Sequence, residues 1–418
     1  MKRFSIIIPV ALATIVAGCS KDVETEKKPS GDPWIYDESL PVPIQFGASG
    51  LDVKVKSAFN DPEDLTGEKL GVLALDMESG WADEYGVKDS DAICLDDEVV
   101  TCAFDESKNR YMLDFEQAQY YPYKSDRNFS FFAYYKGENP NALVYDAESV
   151  KVPVSGEQWG NQDIVWARSD AQTLYVKNSE EINPETGDPW GYIPAEQGVD
   201  ATAFYNGFNA SYVRYIAKPK PQGSIDHSYA KHLPTLNFEH KTTCIRFIAR
   251  LDDAVVADVD FVPVVESVEI SGEEIYTGAD FTIVHKDDQL QGTFDMSQYP
   301  KGTVLLRNDE GSAELNVVPT NEGAQLGNGY FFQPISKDSP ISLTVTINGG
   351  NGQEKISLNI DSHAAFKAGY YYTYEIRIYK NVGMEVAVVS VSPWLNGWED
   401  AQENPGQLGG DDLPDVVL

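Results

Sequence analysis

The run GYYYTYEIRI, residues 369–378, decides the fold. Tyr370, Tyr372, Tyr374, Ile376 and Ile378 recur at every second position, and Glu375 and Arg377 fall between them. A period of two belongs to a pleated strand with one face on a core and the other in water. The same alternation appears on either side. In TCIRFIARL (243–251), Ile245, Phe247, Ala249 and Leu251 share a face, and Arg246 and Arg250 lie opposite. In ISLTVTI (341–347), Ile341, Leu343, Val345 and Ile347 alternate with Ser342, Thr344 and Thr346. In KISLNI (355–360), Ile356, Leu358 and Ile360 share a face. Several such strands at short spacing, divided by Gly, Asn, Asp and Pro, predict an all-β chain of sandwich type.

Towards the N-terminus the texture stays β but loses regularity. GVLAL (71–75), FSFFAYY (129–135) and DIVWA (163–167) are strand candidates. Residues 176–235 are rich in loop signals such as NPETGDPWG and KPKPQGS, and no long window repeats apolar residues at helical spacing. The shift from KHLP to TLNFEH sets the expected boundary just before Leu236. The predicted domains are therefore 42–235 and 236–399, with an acidic, Gly-rich tail over 400–418.

The first residues read differently. Lys2 and Arg3 precede an apolar run from Ile6 to Val16, then Ala17 and Gly18, then Cys19. That is the layout of a secretory signal over 1–18, too short for a typical membrane-spanning helix. The ending IVAGC resembles the lipobox of bacterial lipoproteins, which implies cleavage before Cys19 and lipid on its sulfur. Each buried methylene adds about 0.8 kcal/mol of membrane affinity, so several acyl chains make a stable tether. Residues 19–41, charged and containing Pro and Gly, read as a flexible stalk. The start of that stalk, SKDVE (20–24), resembles the acidic export signal that sends some Bacteroidetes lipoproteins to the outer face of the outer membrane.

Composition excludes several classes. With 66 acidic against 32 basic residues the formal net charge is −34, which repels nucleic acid and anionic lipid. There is no G-x-S-x-G, no phosphate-cradling glycine loop and no H-E-x-x-H. The five histidines, His227, His232, His240, His285 and His363, show no metal-ligand spacing, so no metal or cofactor is expected. His240 reads as a structural hydrogen-bonding residue. The acidic stretch Asp89 to Asp97 lacks the calcium-loop pattern and reads as solvated loop. Trp34, Trp81, Trp159 and Trp190 are candidates for stacking on sugars, but most are expected to pack in cores or turns. Cys94 and Cys102 flank ICLDDEVVTC and would meet across a hairpin as a disulfide, or stay as buried thiols. Cys244 is expected in the core.

Taken in order, many segments resemble the fimbrillin family, the subunits of type V pili. They begin with VPIQF…VKVKSAF (42–59), LTGEKLGVLAL (65–75), AQYYPYKSDRNFSFFAYYK (118–136), QDIVWARS (162–169) and AFYNGFNASYVRY (203–215). They continue with LNFEHKTTCIRFIARL (236–251), VESVEISGEEIYTGADF (265–281), GYFFQPI (329–335), FKAGYYYTYEIRI (366–378) and SVSPWLNGW (390–398). The resemblance implies two transthyretin-like antiparallel β-sandwich domains with Greek-key-type connections, and a structural role without catalysis. It implies a lipid-anchored precursor at the cell surface, cut after its first strand by an Arg- or Lys-directed protease. A neighbouring subunit's C-terminal segment then fills the groove. Here the removable strand would contain Val42, Ile44 and Phe46, and the cut would follow Lys54 or Lys56, because no arginine lies between Arg3 and Arg110. If uncut, the subunit stays on its anchor. The donor residues would be Leu413, Val416, Val417 and Leu418. Implied partners are other pilin subunits, the outer membrane through Cys19, and surface glycans or proteins if the subunit adheres. A monomeric glycan-binding lipoprotein is the alternative reading.

Overall fold

The computed structural model describes residues 32–49, 67, 69–105, 110–123, 127–136, 141–156, 158–169, 173–176, 192–194, 203–217, 234–252, 262–308, 310–335, 339–349, 352–360, 365–379 and 383–393. In chain order the strands are β1 (Phe46–Ser49), β2 (Lys69–Leu75), β3 (Ile93–Asp105), β4 (Arg110–Phe115), β5 (Ser130–Tyr135), β6 (Val144–Tyr145) and β7 (Ser149–Ser155). Next come β8 (Val165–Ser169), β9 (Thr173–Val176), β10 (Tyr192–Pro194), β11 (Ala203–Asn206) and the helix α1 (Ala210–Ala217). There follow β12 (Thr235–His240), β13 (Thr243–Leu251), β14 (Val264–Gly272), β15 (Gly278–His285), β16 (Thr293–Asp295), β17 (Val304–Leu305) and β18 (Ala324–Phe332). The series ends with β19 (Ile341–Asn348), β20 (Gln353–Ile360), β21 (Tyr370–Tyr379) and β22 (Gly383–Pro393).

The chain is all-β, as its periodicity predicts. In the first half the strands close on themselves in the order β1-β12-β8-β5-β2-β3-β4. In the second half the sheets β18-β13-β21-β22 and β17-β14-β19-β20 contribute their apolar faces to one core, with Phe247, Ile376 and Tyr374 from the first and Val268, Leu343 and Val345 from the second. Among the described strands two pairings are parallel rather than antiparallel: β1 with β12, and β13 with β21. A further sheet, β16-β15-β7-β6, mixes strands from both halves.

The irregular texture of the first half has a physical cause. Leu70, Val72 and Ala74 of β2 face the interior of the ring, while Leu73 and Leu75 face the second core. In β5, Phe131, Ala133 and Tyr135 go one way and Phe132 and Tyr134 the other. In β8, Val165 and Ala167 enter the ring and Trp166 the second core. One wall thus lies between two cores, so its strands are apolar at almost every position and show no alternation. Trp166 Nε1 donates to the Ile283 carbonyl at 2.8 Å and Trp159 Nε1 to that of Tyr276 at 2.7 Å, which fixes β15 to this wall.

Three expectations are corrected. Leu236 was expected to open the second domain, but β12 pairs with β8 and β1 and completes the first ring. A period-two run identifies a strand without saying which sheet takes it. The face of β21 opposite the tyrosine stripe was expected to be wet. Tyr371, Thr373 and Glu375 on it are buried instead, with Glu375 held by Arg250 at 2.9 Å and by the part-exposed Arg377 at 2.8 Å, and Tyr371 under the Arg246 guanidinium at 3.5 Å. The Cys94–Cys102 disulfide does not form. Both residues lie on the single strand β3, and eight positions of strand separate them by about 25 Å, far beyond disulfide reach.

Candidate functional site

The chain that closes the ring is the segment expected to leave it. Val42, Ile44 and Phe46 alternate inward and are 1%, 4% and 0% exposed. The Ile44 N–H donates to the Gln119 carbonyl at 2.8 Å, and the Tyr121 N–H to that of Val42 at 3.0 Å. Further on, Phe46 and Gly47 pair antiparallel with Leu113 and Met112 of β4. Gly47, Ala48 and Ser49 pair parallel with Thr235, Leu236 and Asn237 of β12. Backbone bonds therefore hold β1 on both sides, and withdrawing it would bare two strand edges at once.

Inside the ring the Phe46 ring lies 5.6 Å from Phe115 and 5.0 Å, edge-on, from Phe131. Phe131 in turn meets Tyr121 and Phe208, and Phe208 meets Tyr212 of α1. Gly207, at φ +115°, lets the chain turn so that Phe208 and Phe129 exchange both backbone hydrogen bonds; a Cβ there would sit 2.7 Å from the Phe129 carbonyl oxygen. Burying Val42, Ile44 and Phe46 stabilises the segment 42–49 in its place by about 1.5–3 kcal/mol per side chain, an upper estimate.

A clasp that sequence reasoning missed holds the chain just upstream. Asn209 caps α1, its side-chain oxygen accepting from the Tyr212 N–H at 2.8 Å while its amide nitrogen donates to Asn128 at 2.7 Å. The helix so placed aims Arg214 at the segment before β1. Its guanidinium donates to the carbonyls of Trp34 at 2.9 Å, Asp37 at 2.6 Å and Leu40 at 2.6 Å. The asparagine before the run ASYVRYIA is a signal for the helix; nothing in the sequence points from Arg214 to residues 34–40.

The other candidates have structural duties. Asp163, 1% exposed, accepts from the Thr242 hydroxyl and pairs with His240 Nδ1 at 2.5 Å, bracing the crossing from β12 to β13. In the acidic stretch, Asp96 takes Lys88 and the Tyr145 hydroxyl, and Asp97 takes Lys136 and the Tyr134 hydroxyl. Burial, reinforced by these carboxylates, pushes both phenols well above their ordinary pKa. Among the described residues no group of three or more His, Cys, Asp or Glu is placed to hold a metal. Trp81 and Trp159 are core residues. Burial pushes the thiols of Cys94, Cys102 and Cys244 up to about 12. Cys19, Lys54, Lys56, Trp190, Leu413, Val416, Val417 and Leu418 lie outside the described residues.

Fold and site define an all-β protein whose distinctive element is an N-terminal strand closing a ring. In the C-terminal part of the chain, residues 223–394 match the family described as fimbrillin-like. Among solved structures, the chain is similar to a candidate cell adhesion protein from Bacteroides uniformis at 17% identity and TM-score 0.43, over 84% of this chain and 98% of that one. It is similar to the fimbrial anchor protein Mfa2 from Porphyromonas gingivalis at 10% identity and TM-score 0.31, over 86% and 98%. It is also similar to a fimbrial assembly protein from Parabacteroides distasonis at 7% identity and TM-score 0.38, over 85% and 99%. No curated protein matches the chain.

Proposed function

We propose that the protein is a subunit of a cell-surface fimbrium, delivered on a lipid at Cys19 and joined to its neighbours by exchange of the first strand. Protease action after Lys54 or Lys56 frees the segment bearing Val42, Ile44 and Phe46. A neighbour's extended segment then takes up the backbone partners on β4 and β12 and the three apolar pockets. The tail residues Leu413, Val416, Val417 and Leu418 are this chain's candidate donor. The observation that carries the reading is the placement of the N-terminal strand. It contributes buried side chains to the ring core, yet it is joined to the strands on either side of it by hydrogen bonds rather than by a short turn. Fimbrial likeness in residues 223–394 supports a cell-surface location for the assembled protein.

N-terminal sequencing of protein recovered from the cell surface tests it. A new start at Val55 or Ser57, a heat-sensitive ladder in unboiled gels, and loss of both in a Lys54→Gln/Lys56→Gln variant are expected. Surface protein that still begins at Cys19 and runs as a single species would overturn strand exchange and leave a permanently anchored lipoprotein.

A further inference from the structure

A second feature shares no residue with the first-strand groove. Between β7, β15, β16 and the turn over 296–301 lies a cleft of about 640 Å³, within the range of small-molecule sites. Tyr276, Phe294 and Tyr299 supply rings to its wall, and Lys151, Lys301 and Asp295 supply charge.

Packing outside the cleft fixes the Phe294 and Tyr299 rings. Phe294 stands edge-on to Trp159 at 5.9 Å and 5.2 Å from Phe281. The Tyr299 hydroxyl donates to Asp280 at 2.6 Å, and its ring lies against the start of β15, where Gly278 leaves room. A Cβ at Gly278 would come within 2.5 Å of the ring. Tyr276 is held by Trp159 through its carbonyl and bridges to Lys301, whose ammonium stands 5.5 Å from the Tyr276 ring centre. Two of the three rings are therefore in place before any ligand arrives, which lowers the ordering that opposes binding.

The charge in the cleft runs against the rest of the molecule. Two ammonium groups face one carboxylate, in a chain of net charge −34. Asp295 stays ionised, since the Ser297 N–H donates to it at 2.9 Å and the Ser297 hydroxyl and Lys151 also favour the anion. It remains an acceptor for hydroxyl groups. Rings for apolar C–H faces, an acceptor for hydroxyls and two lining lysines for a carboxylate together describe one ligand chemistry. We propose that this cleft binds an acidic saccharide, a pyranose unit carrying a carboxylate. A neutral sugar would bring no anion to the two lysines, and the extended phosphate backbone of a nucleic acid would be repelled by a chain of net charge −34.

The test is isothermal titration of the mature chain, from residue 19 onward, with trigalacturonate and sialyllactose as carboxylated probes. Lactose serves as the neutral control and dextran sulfate as the polyanion control. At least one carboxylated probe should bind, with lactose weaker by about tenfold or more. Tyr276→Ala and Lys301→Met should each weaken binding about five- to tenfold with unchanged thermal unfolding. Gly278→Ala, which displaces Tyr299, should weaken it too. The proposal is overturned if neither carboxylated probe binds, if lactose binds equally well, or if dextran sulfate displaces the probe and Tyr276→Ala has no effect. Strand exchange is scored separately by the gel ladder, which these variants should leave intact.

Discussion

Phe46 shows what one residue of the first strand contributes. It has no exposed surface and its ring meets Phe115 and Phe131. Phe46→Ala would open a cavity that the closed ring cannot collapse, so urea denaturation of the uncut chain should show a loss of about 3–5 kcal/mol. If the chain is cut after Lys54 or Lys56 as proposed, the same substitution should leave the cut subunit unaffected, because Phe46 would depart with its strand. The thiols give a second prediction. With pKa values pushed up to about 12, the Cys94, Cys102 and Cys244 thiols stay protonated across the neutral range and gain thiolate only as pH rises towards that value. Alkylation at pH 8 should be slow for all three in the native protein and rapid after denaturation. Val42, Ile44 and Phe46 were singled out in the sequence through the resemblance of VPIQF to the fimbrillin family, and the structure adds that all three are buried. Arg214 was not singled out, since its three acceptors are backbone carbonyls that no side-chain pattern announces.

Among the elements, β21 and β5 were both readable as strands, but only β21 announced which of its faces meets a core. β21 presents a tyrosine and isoleucine stripe to one core, and its other face keeps Glu375 and Arg377 as polar markers even though Glu375 is buried in ion pairs. In β5 both faces are apolar because two cores meet there, so FSFFAYY carries no phase. β12 was legible as a strand and misplaced in its sheet, because register to a partner far along the chain leaves no local trace. Its parallel pairing with β1 is open to test. Leu236 is fully buried opposite Ala48, and Leu236→Asp would place a charge in the ring core. Hydrogen exchange should then report fast exchange in residues 46–49 while β19 and β20 keep their protection.

At the level of the whole molecule, the sheet β16-β15-β7-β6 joins the two halves. β7 pairs with β15 from Gly278–Ser155 to His285–Ser149, and Trp159 and Trp166 hydrogen-bond across the same junction. The halves therefore should not fold apart. A fragment of residues 236–393 would lack β7 and bare the Phe281 face, and is expected to give poorly dispersed amide spectra, whereas the uncut chain should unfold in one cooperative transition. The ring closure has a mechanical side as well. β1 is bonded antiparallel to β4 and parallel to β12, and its Phe46 is seated in the ring core. Tension along such a strand loads the bonds on both flanks in shear, all together, while a pull from one end across the sheet peels them in turn. A fibre whose joints copied this geometry would hold against flow along its length and come apart where a joint is levered sideways.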